Sequence, residues 1–464
     1  MLNLSEDVMA KLNASIKAKF GVTYDEFCDL EPDEQQLLIQ KYHEKQKQNE
    51  KPKEKGPQKT HIYRRWFMNR EDFEILGTGI IYFDNGATTL KPKVLAEATS
   101  DYYNYYSSNA HRGDYTLSIK ASEEYENTRQ LVKTLINAKE VNEIAFTSGS
   151  TDSLNKIIFG FFKDYLTTND EVLITKTEHA ANVLPWFELK DQIGIKVKYI
   201  SLTEDHKVTL ENVINAITPN TKVISLAHIT NVVGDIRPIK EIIKYAHKHN
   251  ILVLIDGAQS VPHMKVDVQD LDIDFLVFSA HKMCGPTGVG IIYGKKELLK
   301  DIKPIIFGGG MNAEFDSSFH KVYKEMPERL EGGTPNVAGV IGFGYVLKYL
   351  QNIGFDKIHE KELELKNYLI SRLKEISQIT IYNEFSESGV VIINYDGIFA
   401  QDLSIYLDKY NICTRAGNHC AKMTKDELHI KNTCRISLYF YNTKEEIDRL
   451  IEVLKNPNIK NEII

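Results

Sequence analysis

From about residue 61 onward, apolar β-branched runs alternate with longer helical stretches. The runs EVLIT (171–175), KVKYI (196–200), KVISLAH (222–228), ILVLID (251–256), FLVFS (275–279) and GVGIIYG (288–294) predict strands. Helical runs such as IKEIIKYAHKHN (239–250) separate several of them. Continuous Val/Ile/Leu strands alternating with helices predict an α/β architecture, with a mostly parallel sheet covered on both faces. After about residue 350 the pattern changes to a long amphipathic helix (FDKIHEKELELKNYLISRLKEI). Two short strands (GVVIINY and CRISLYF) and a last helix (KEEIDRLIEVLKN) follow. We expect a large domain over 61–330, with its N-terminal stretch packing on the next domain, and a smaller α+β domain over 331–464. No internal repeat is visible.

The first sixty residues read differently. Val8, Met9, Leu12, Ile16 and Phe20 recur at helical spacing, and so do Leu37, Leu38 and Tyr42. This predicts a helical appendage over 1–42. Residues 43–60, HEKQKQNEKPKEKGPQKT, are Lys-rich and hold no aliphatic residue. Such a stretch cannot bury a core and reads as a solvated linker.

Composition narrows the function classes. Hydrophobic residues make up 42% and charged residues 26% of 464, with a net charge of -7. No basic face is implied, so nucleic acid is not an expected partner. No apolar run is long enough to span a bilayer, and the N-terminus lacks a secretory pattern. Five unevenly spaced cysteines, Cys28, Cys284, Cys413, Cys420 and Cys434, fit a reducing, cytoplasmic setting better than a disulfide framework.

The sharpest chemical signal is DFLVFSAHKMCGPTGVG, where Lys282 follows a strand end. Ligands of open α/β sheets bind at the carboxyl ends of strands. A partly desolvated lysine there supplies a free amine for a Schiff base with an aldehyde. Taken alone, Lys282 also reads as a surface lysine in a Gly-rich turn. Upstream, ILVLIDGAQS places Asp256 at another strand end, with Gln259 three residues on. A carboxylate there keeps a pyridine nitrogen protonated, so the ring acts as an electron sink, and Gln259 can donate to its phenolic oxygen. Asp256 alone could be a helix cap, but the Asp/Lys pair is far more specific. In FTSGSTDSLN, Gly149, Ser150 and Thr151 open a helix whose N–H groups and hydroxyls suit a phosphate. His179, after another strand, can stack on a flat ring.

These segments occur in order with YFDNGATT (82–89), HRGDYTLS (111–118), EHAANVLPW, TNVVGD (230–235), RLEGGTPN (329–336), TRAGNHCA (414–421) and RISLYFYNT (435–443). Together they resemble the class V aminotransferase family, specifically its SUF-type cysteine desulfurases. The resemblance covers about residues 61–464. It implies a pyridoxal-phosphate enzyme of fold type I that converts L-cysteine to L-alanine and feeds the sulfur to iron–sulfur cluster assembly. It also implies a homodimer with the site at the subunit interface and a sulfur-acceptor protein of the SUF system as partner. Position by position, it implies Lys282 as the Schiff-base lysine, Asp256 as pyridinium partner, Gln259 as ring-oxygen donor and His179 as stacking residue. Thr151, Ser279 and His281 match phosphate ligands, with Thr334 reaching from the other subunit. Asn231 and Arg435 match substrate binders, Arg415 a second positive charge near the cysteine loop, and His111 a residue beside the substrate.

Cys420 selects the reaction on this scaffold. It lies in a polar loop with Arg415, His419 and Lys422 nearby, and cations favour the thiolate that attacks sulfur. The resemblance places the persulfide here. Cys284, Cys413 and Cys434 sit in apolar or strand-like contexts and read as structural. Cys413, His419, Cys420 and Cys434 lack the close ligand pairing of zinc sites, so no metal is expected. Three positions depart from the family pattern: Gly86 for Ala, Asn418 for His, and Gln401 where members served by a zinc-containing acceptor carry His. A selenocysteine lyase would share every residue named. Other class V enzymes, such as a hydrolase or an epimerase, would not need Cys420, and a non-catalytic cofactor-binding protein would not need the full set.

Overall fold

The computed structural model describes residues 70–462, residues 20–30, and positions 14, 16, 17 and 34. The chain divides into two units, Met1–Arg64 and Arg65–Ile464. In the first unit, a short helix spans Tyr24–Cys28. Thr23 and Glu26 cap it reciprocally: Glu26 N–H donates to Thr23 Oγ1 at 3.3 Å, and Thr23 N–H donates to Glu26 Oε2 at 2.7 Å. Phe20 stacks on Phe27 with ring centroids 5.3 Å apart. The predicted linker 43–60 and the helical positions Val8, Met9, Leu12, Leu37, Leu38 and Tyr42 lie outside the described residues.

The second unit is built on a seven-stranded sheet. In chain order, β1 is Ile81–Tyr82, which lies elsewhere, and β2 is Ile144–Thr147. Then come β3 (Glu171–Ile174), β4 (Lys196–Tyr199), β5 (Thr221–Ala227), β6 (Leu252–Asp256), β7 (Phe275–Ser279) and β8 (Gly290–Gly294). The spatial order is β2-β8-β7-β6-β5-β3-β4. Only β8 runs against the rest, pairing antiparallel with both β2 and β7. The connection 280–289 is shorter than the roughly dozen residues a parallel crossover needs, so the chain returns antiparallel. The predicted mostly parallel α/β sheet is therefore present.

Strand alternation explains why both faces are covered. Val253, Ile255, Leu276 and Phe278 enter one buried cluster, whereas Leu254, Phe275 and Val277 enter the other. The first cluster also holds the helix Val337–Ile353, buried along nearly its whole length, beside the helices Lys93–Tyr105 and Thr116–Ile136. Gly344 permits this close approach, since a Cβ there would lie 2.3 Å from Thr128 Oγ1. The next helix, Phe355–Leu373, turns Leu365, Leu369 and Leu373 into a separate core with Val391, Ile393, Leu403 and Ile436.

That second core backs a four-stranded sheet. A hairpin of β9 (Asn312–Phe315) and β10 (Lys321–Tyr323) precedes it. The sheet contains β11 (Ile379–Ile381), β12 (Val390–Tyr395), β14 (Arg415–Gly417) and β15 (Thr433–Ser437), in the order β11-β12-β15-β14. Between β12 and β14, β13 (Ile412–Cys413) pairs in parallel with β1. Just past β1, Asp84 forms a parallel bridge with Ser437 of β15, so the stretch before the large sheet reaches this smaller sheet. No helix among the described residues is long and apolar enough to cross a membrane.

Candidate active site

Because β3, β5, β6 and β7 are parallel, their carboxyl ends lie at one edge, and the loops that follow them converge there. A cavity of about 430 Å³ opens at this edge. It is lined by Ser150, Thr151, His179, Asn231, Asp256, Ser279, His281, Lys282, Arg415, Cys420 and Arg435.

Asp256 ends β6 and is buried, and its Oδ1 accepts from Ala258 N at 2.9 Å. Burial raises its pKa, partly offset by the nearby Lys282 ammonium. Lys282 closes the short turn Ala280–Lys282 after β7. Burial pulls its pKa down to about 8 against the pull of Asp256, with Arg435 adding to the decrease. At the opposite side, the helix Ser150–Ile157 begins beside β7. Ser150 N donates to Ser279 Oγ at 2.7 Å, and the two hydroxyls also lie 2.7 Å apart. A helix N-terminus, two serines and Thr151 thus face the cavity.

His179 follows β3. Its Nδ1 accepts from Ala181 N at 3.1 Å, which leaves the proton on Nε2. Burial, with the charges of Lys282, Arg435 and Arg415, lowers its pKa to about 4, so the ring is neutral. Beneath it, fully buried Arg237 pairs with Glu178 and donates to Thr175 Oγ1 at 2.8 Å and Thr177 Oγ1 at 2.9 Å. This network fixes the turn that aims His179.

Arg435, on β15, is buried and donates from Nη1 to Asn231 O at 2.9 Å and from Nη2 to Asp84 Oδ1 at 3.1 Å. Its Nε has no partner. Arg415 lies 4.0 Å from the same Asp84 carboxylate. Asp84 therefore holds both arginines, a role the sequence reading missed although Asp84 stands inside the YFDNGATT segment. Gly86 lies alongside, where a Cβ would fall 3.1 Å from Arg435 Cζ. The departure from Ala at 86 gives the guanidinium room.

Cys420 is exposed at the mouth of the cavity, on a turn where His419 and Cys420 are both left-handed, with φ of 49° and 58°. Its carbonyl accepts from Ala180 N at 2.7 Å, tying the turn to the His179 loop. One expectation for this loop is corrected. His419 is not a cation beside the thiol: it is buried, with Nε2 3.0 Å from Thr433 Oγ1, and its pKa is lowered to about 3, chiefly by burial. Its carbonyl accepts from Asn231 Nδ2 at 2.7 Å, so it braces the loop through its backbone. Gln401 is occupied too, its Oε1 accepting from Asn432 Nδ2 at 2.7 Å.

Three predicted residues stand apart from the cavity lining. Gln259 is buried just behind it, donating to Gly86 O at 2.8 Å. His111 lies elsewhere, with Nε2 3.2 Å from Glu126 Oε1. Thr334 lines a neighbouring cavity with Tyr125, Asp152 and Gly288. Among the described residues no group of three or more His, Cys, Asp or Glu side chains is placed to hold a metal.

The aminotransferase class-V family model matches residues 81–450, the span that carries both sheets and the whole cavity. The chain belongs to the class-V aminotransferase family. This class-V protein is 41% identical over 384 residues to a probable cysteine desulfurase of Halalkalibacterium halodurans, covering 83% of this chain and 94% of that protein. It is likewise 41% identical over 392 residues to a probable cysteine desulfurase of Staphylococcus aureus, covering 83% and 95%. Among solved structures, the apo cysteine desulfurase of Thermococcus onnurineus NA1 matches with a TM-score of 0.81 at 34% identity, over 84% of this chain and 97% of that one. The cysteine desulfurase CsdA of Escherichia coli, in its S-sulfonic acid form, matches with a TM-score of 0.79 at 33% identity, over 83% and 96%.

Proposed function

We propose that this class-V protein is a pyridoxal-phosphate-dependent cysteine desulfurase. It converts L-cysteine to L-alanine and keeps the sulfur as a persulfide on Cys420. The observation that carries the reading is the placement of an exposed thiol at the mouth of the cavity that holds the Lys282/Asp256 pair. The cavity residues fit the cofactor. The Ser150 helix N-terminus, Thr151, Ser279 and His281 suit a phosphate, Asp256 suits a ring nitrogen, and neutral His179 suits the ring face.

When bound, pyridoxal phosphate supplies a ring that takes up the electron pair left at the substrate Cα. Arg435 receives the substrate carboxylate, and its unpartnered Nε completes a fork. Lys282 Nζ, as a free amine, takes the Cα proton. The Cys420 thiolate then bonds to the substrate sulfur as the substrate C–S bond breaks, which leaves alanine to be reprotonated and released. The assay is alanine and sulfide formation from L-cysteine with and without a thiol reductant. Alanine in step with reductant-released sulfide supports the reading, and alanine absent from the cofactor-loaded protein overturns it.

The finer expectations belong to the same proposal. Thr334 acts from the second subunit of a homodimer and His111 lies beside the substrate; that Thr334 is absent from the lining of its own cavity, and that Tyr103, Tyr105, Tyr115, Leu117 and Ile119 are exposed, support the dimer. Five free cysteines support a reducing, cytoplasmic setting. The persulfide passes to an acceptor protein of the SUF system for iron–sulfur cluster assembly. Because the Gln401 amide is engaged by Asn432 and amides ligate zinc poorly, we favour an acceptor that carries sulfur on a plain cysteine.

Domain roles follow. Residues 61–330 and 331–464 carry the chemistry, and 1–60 form an appendage that adds a second contact for the acceptor. Deleting residues 1–60 is expected to change basal alanine formation by less than about twofold, a barrier change of under about 0.5 kcal/mol. Loss of bound cofactor in the truncated protein would count against a separable appendage.

A further inference from the structure

The turn that carries Lys282 is gripped by the segment just after β1. The main-chain carbonyl of His281, the residue before Lys282, has four donors in reach. They are Lys91 Nζ at 2.8 Å, Thr88 Oγ1 at 3.0 Å, Thr89 N at 3.1 Å and Thr89 Oγ1 at 3.2 Å. On the far side of Lys282, Cys284 N donates to Thr89 Oγ1 at 2.7 Å. Cys284 itself is held at φ 61°, a left-handed conformation that a residue with a side chain keeps only when its surroundings impose it.

A carbonyl has two lone pairs, so the four donors compete, and the ammonium makes the strongest bond of the set. Lys91 is half-buried, and its other acceptors are neutral: Thr89 O at 2.6 Å and Thr88 Oγ1 at 3.2 Å. Burying an ammonium against neutral acceptors costs folding free energy, and a methionine of similar length would be cheaper there. The charge is therefore a poor investment for stability alone.

We propose that Lys91 is a positioning residue for Lys282: its ammonium holds the His281 carbonyl and so fixes the main chain from which Lys282 reaches the cofactor and the substrate Cα. The proposal rests on the reading of Lys282 given above. Lys282 Nζ would have to reach both the cofactor and the substrate Cα, and a restrained backbone would shorten the search of its long side chain for that geometry.

The test uses the cofactor-loaded, full-length protein with Lys91→Met, Lys91→Gln and Lys91→Arg. In Lys91→Met we expect kcat to fall about tenfold with KM for L-cysteine within about twofold, because the Arg435 site is untouched. Its midpoint of thermal unfolding is expected to be unchanged or raised. The rate at which the cofactor-free variant regains the visible absorbance of the lysine-bound cofactor is expected to fall in parallel. Lys91→Arg, which keeps a charged donor, is expected to recover part of both rates, and Lys91→Gln to fall between. If Lys91→Met does not fold, Lys91→Gln carries the same comparison. Unchanged kcat and loading rate in the neutral variants, or equal losses in Lys91→Arg and Lys91→Met, would overturn the proposal. A wild-type protein that makes no alanine from cysteine would instead overturn the underlying function.

Discussion

Replacing Lys282 with alanine is expected to lower alanine formation from cysteine by about 10³-fold or more, the upper part of the range for a positioned acid–base group. The same variant is expected to lose the borohydride-reducible bond to the cofactor. It is not expected to lose the fold, since β7 and its neighbours are packed by Phe275, Leu276, Val277 and Phe278, which the substitution leaves alone. Buried Asp256 can bind a proton in place of the offsetting charge it loses with Lys282. The environment of Lys282 gives a second, pH-dependent signature. With a pKa pulled down to about 8, the amine is free in about one molecule in ten at pH 7, against about one in a few thousand for an ordinary lysine. The free amine is the reactive form, so loading of the cofactor-free protein with pyridoxal phosphate should speed up as pH rises toward about 8 and level off above it. A rate still climbing tenfold per unit between pH 9 and 10 would show that burial does not lower this pKa.

Much of this site was legible because it is built on strand ends. The run FLVFS matches β7 as Phe275–Ser279, and a residue at such an end, or within about five positions past it, lies at the carboxyl edge of the sheet. Lys282, Asp256 and His179 followed from that rule, and the cavity gathers them. What the pattern did not carry depends on contacts remote in sequence. Asp84 holds Arg435 from 351 residues away, a pairing that no local periodicity encodes. The charge of His419 was misread because its loop looks polar, yet the ring is enclosed against Thr433 and loses its proton to burial. The reversed direction of β8 is invisible in its apolar run and is set by the length of the connection before it. The helix Val337–Ile353 is apolar on nearly every side, so its sequence does not say which sheet it covers; its burial in one cluster with Val253, Ile255, Leu276 and Phe278 does. His111 and Thr334, matched by motif, do not line the cavity of their own chain: His111 is engaged by Glu126, and Thr334 lines a neighbouring cavity.

Replacing Cys420 with alanine is expected to separate cofactor chemistry from sulfur transfer. The thiol is exposed and packs no core, and alanine tolerates φ 58° no worse than cysteine does, so stability and cofactor binding should be unaltered. Lys282, Asp256 and Arg435 remain in place, so the variant should still exchange the substrate Cα proton with solvent deuterium. Alanine formation should fall on the order of a hundredfold or more, because the nucleophile that takes the sulfur is gone. The other thiols in the catalytic unit are poorly suited to replace it. Burial pushes Cys284 up to about 12 and Cys434 up to about 11, and Cys413 is also raised, chiefly by burial. At neutral pH these three are essentially all protonated, and a protonated thiol does not attack sulfur. Mass spectrometry of the protein after exposure to cysteine decides the matter. The wild-type peptide containing Cys420 should gain one sulfur atom, and no other cysteine peptide should gain it in the variant. A persulfide mapped to Cys284, Cys413 or Cys434, with alanine formation undiminished, would move the reactive sulfur away from the mouth of the cavity and overturn the assignment.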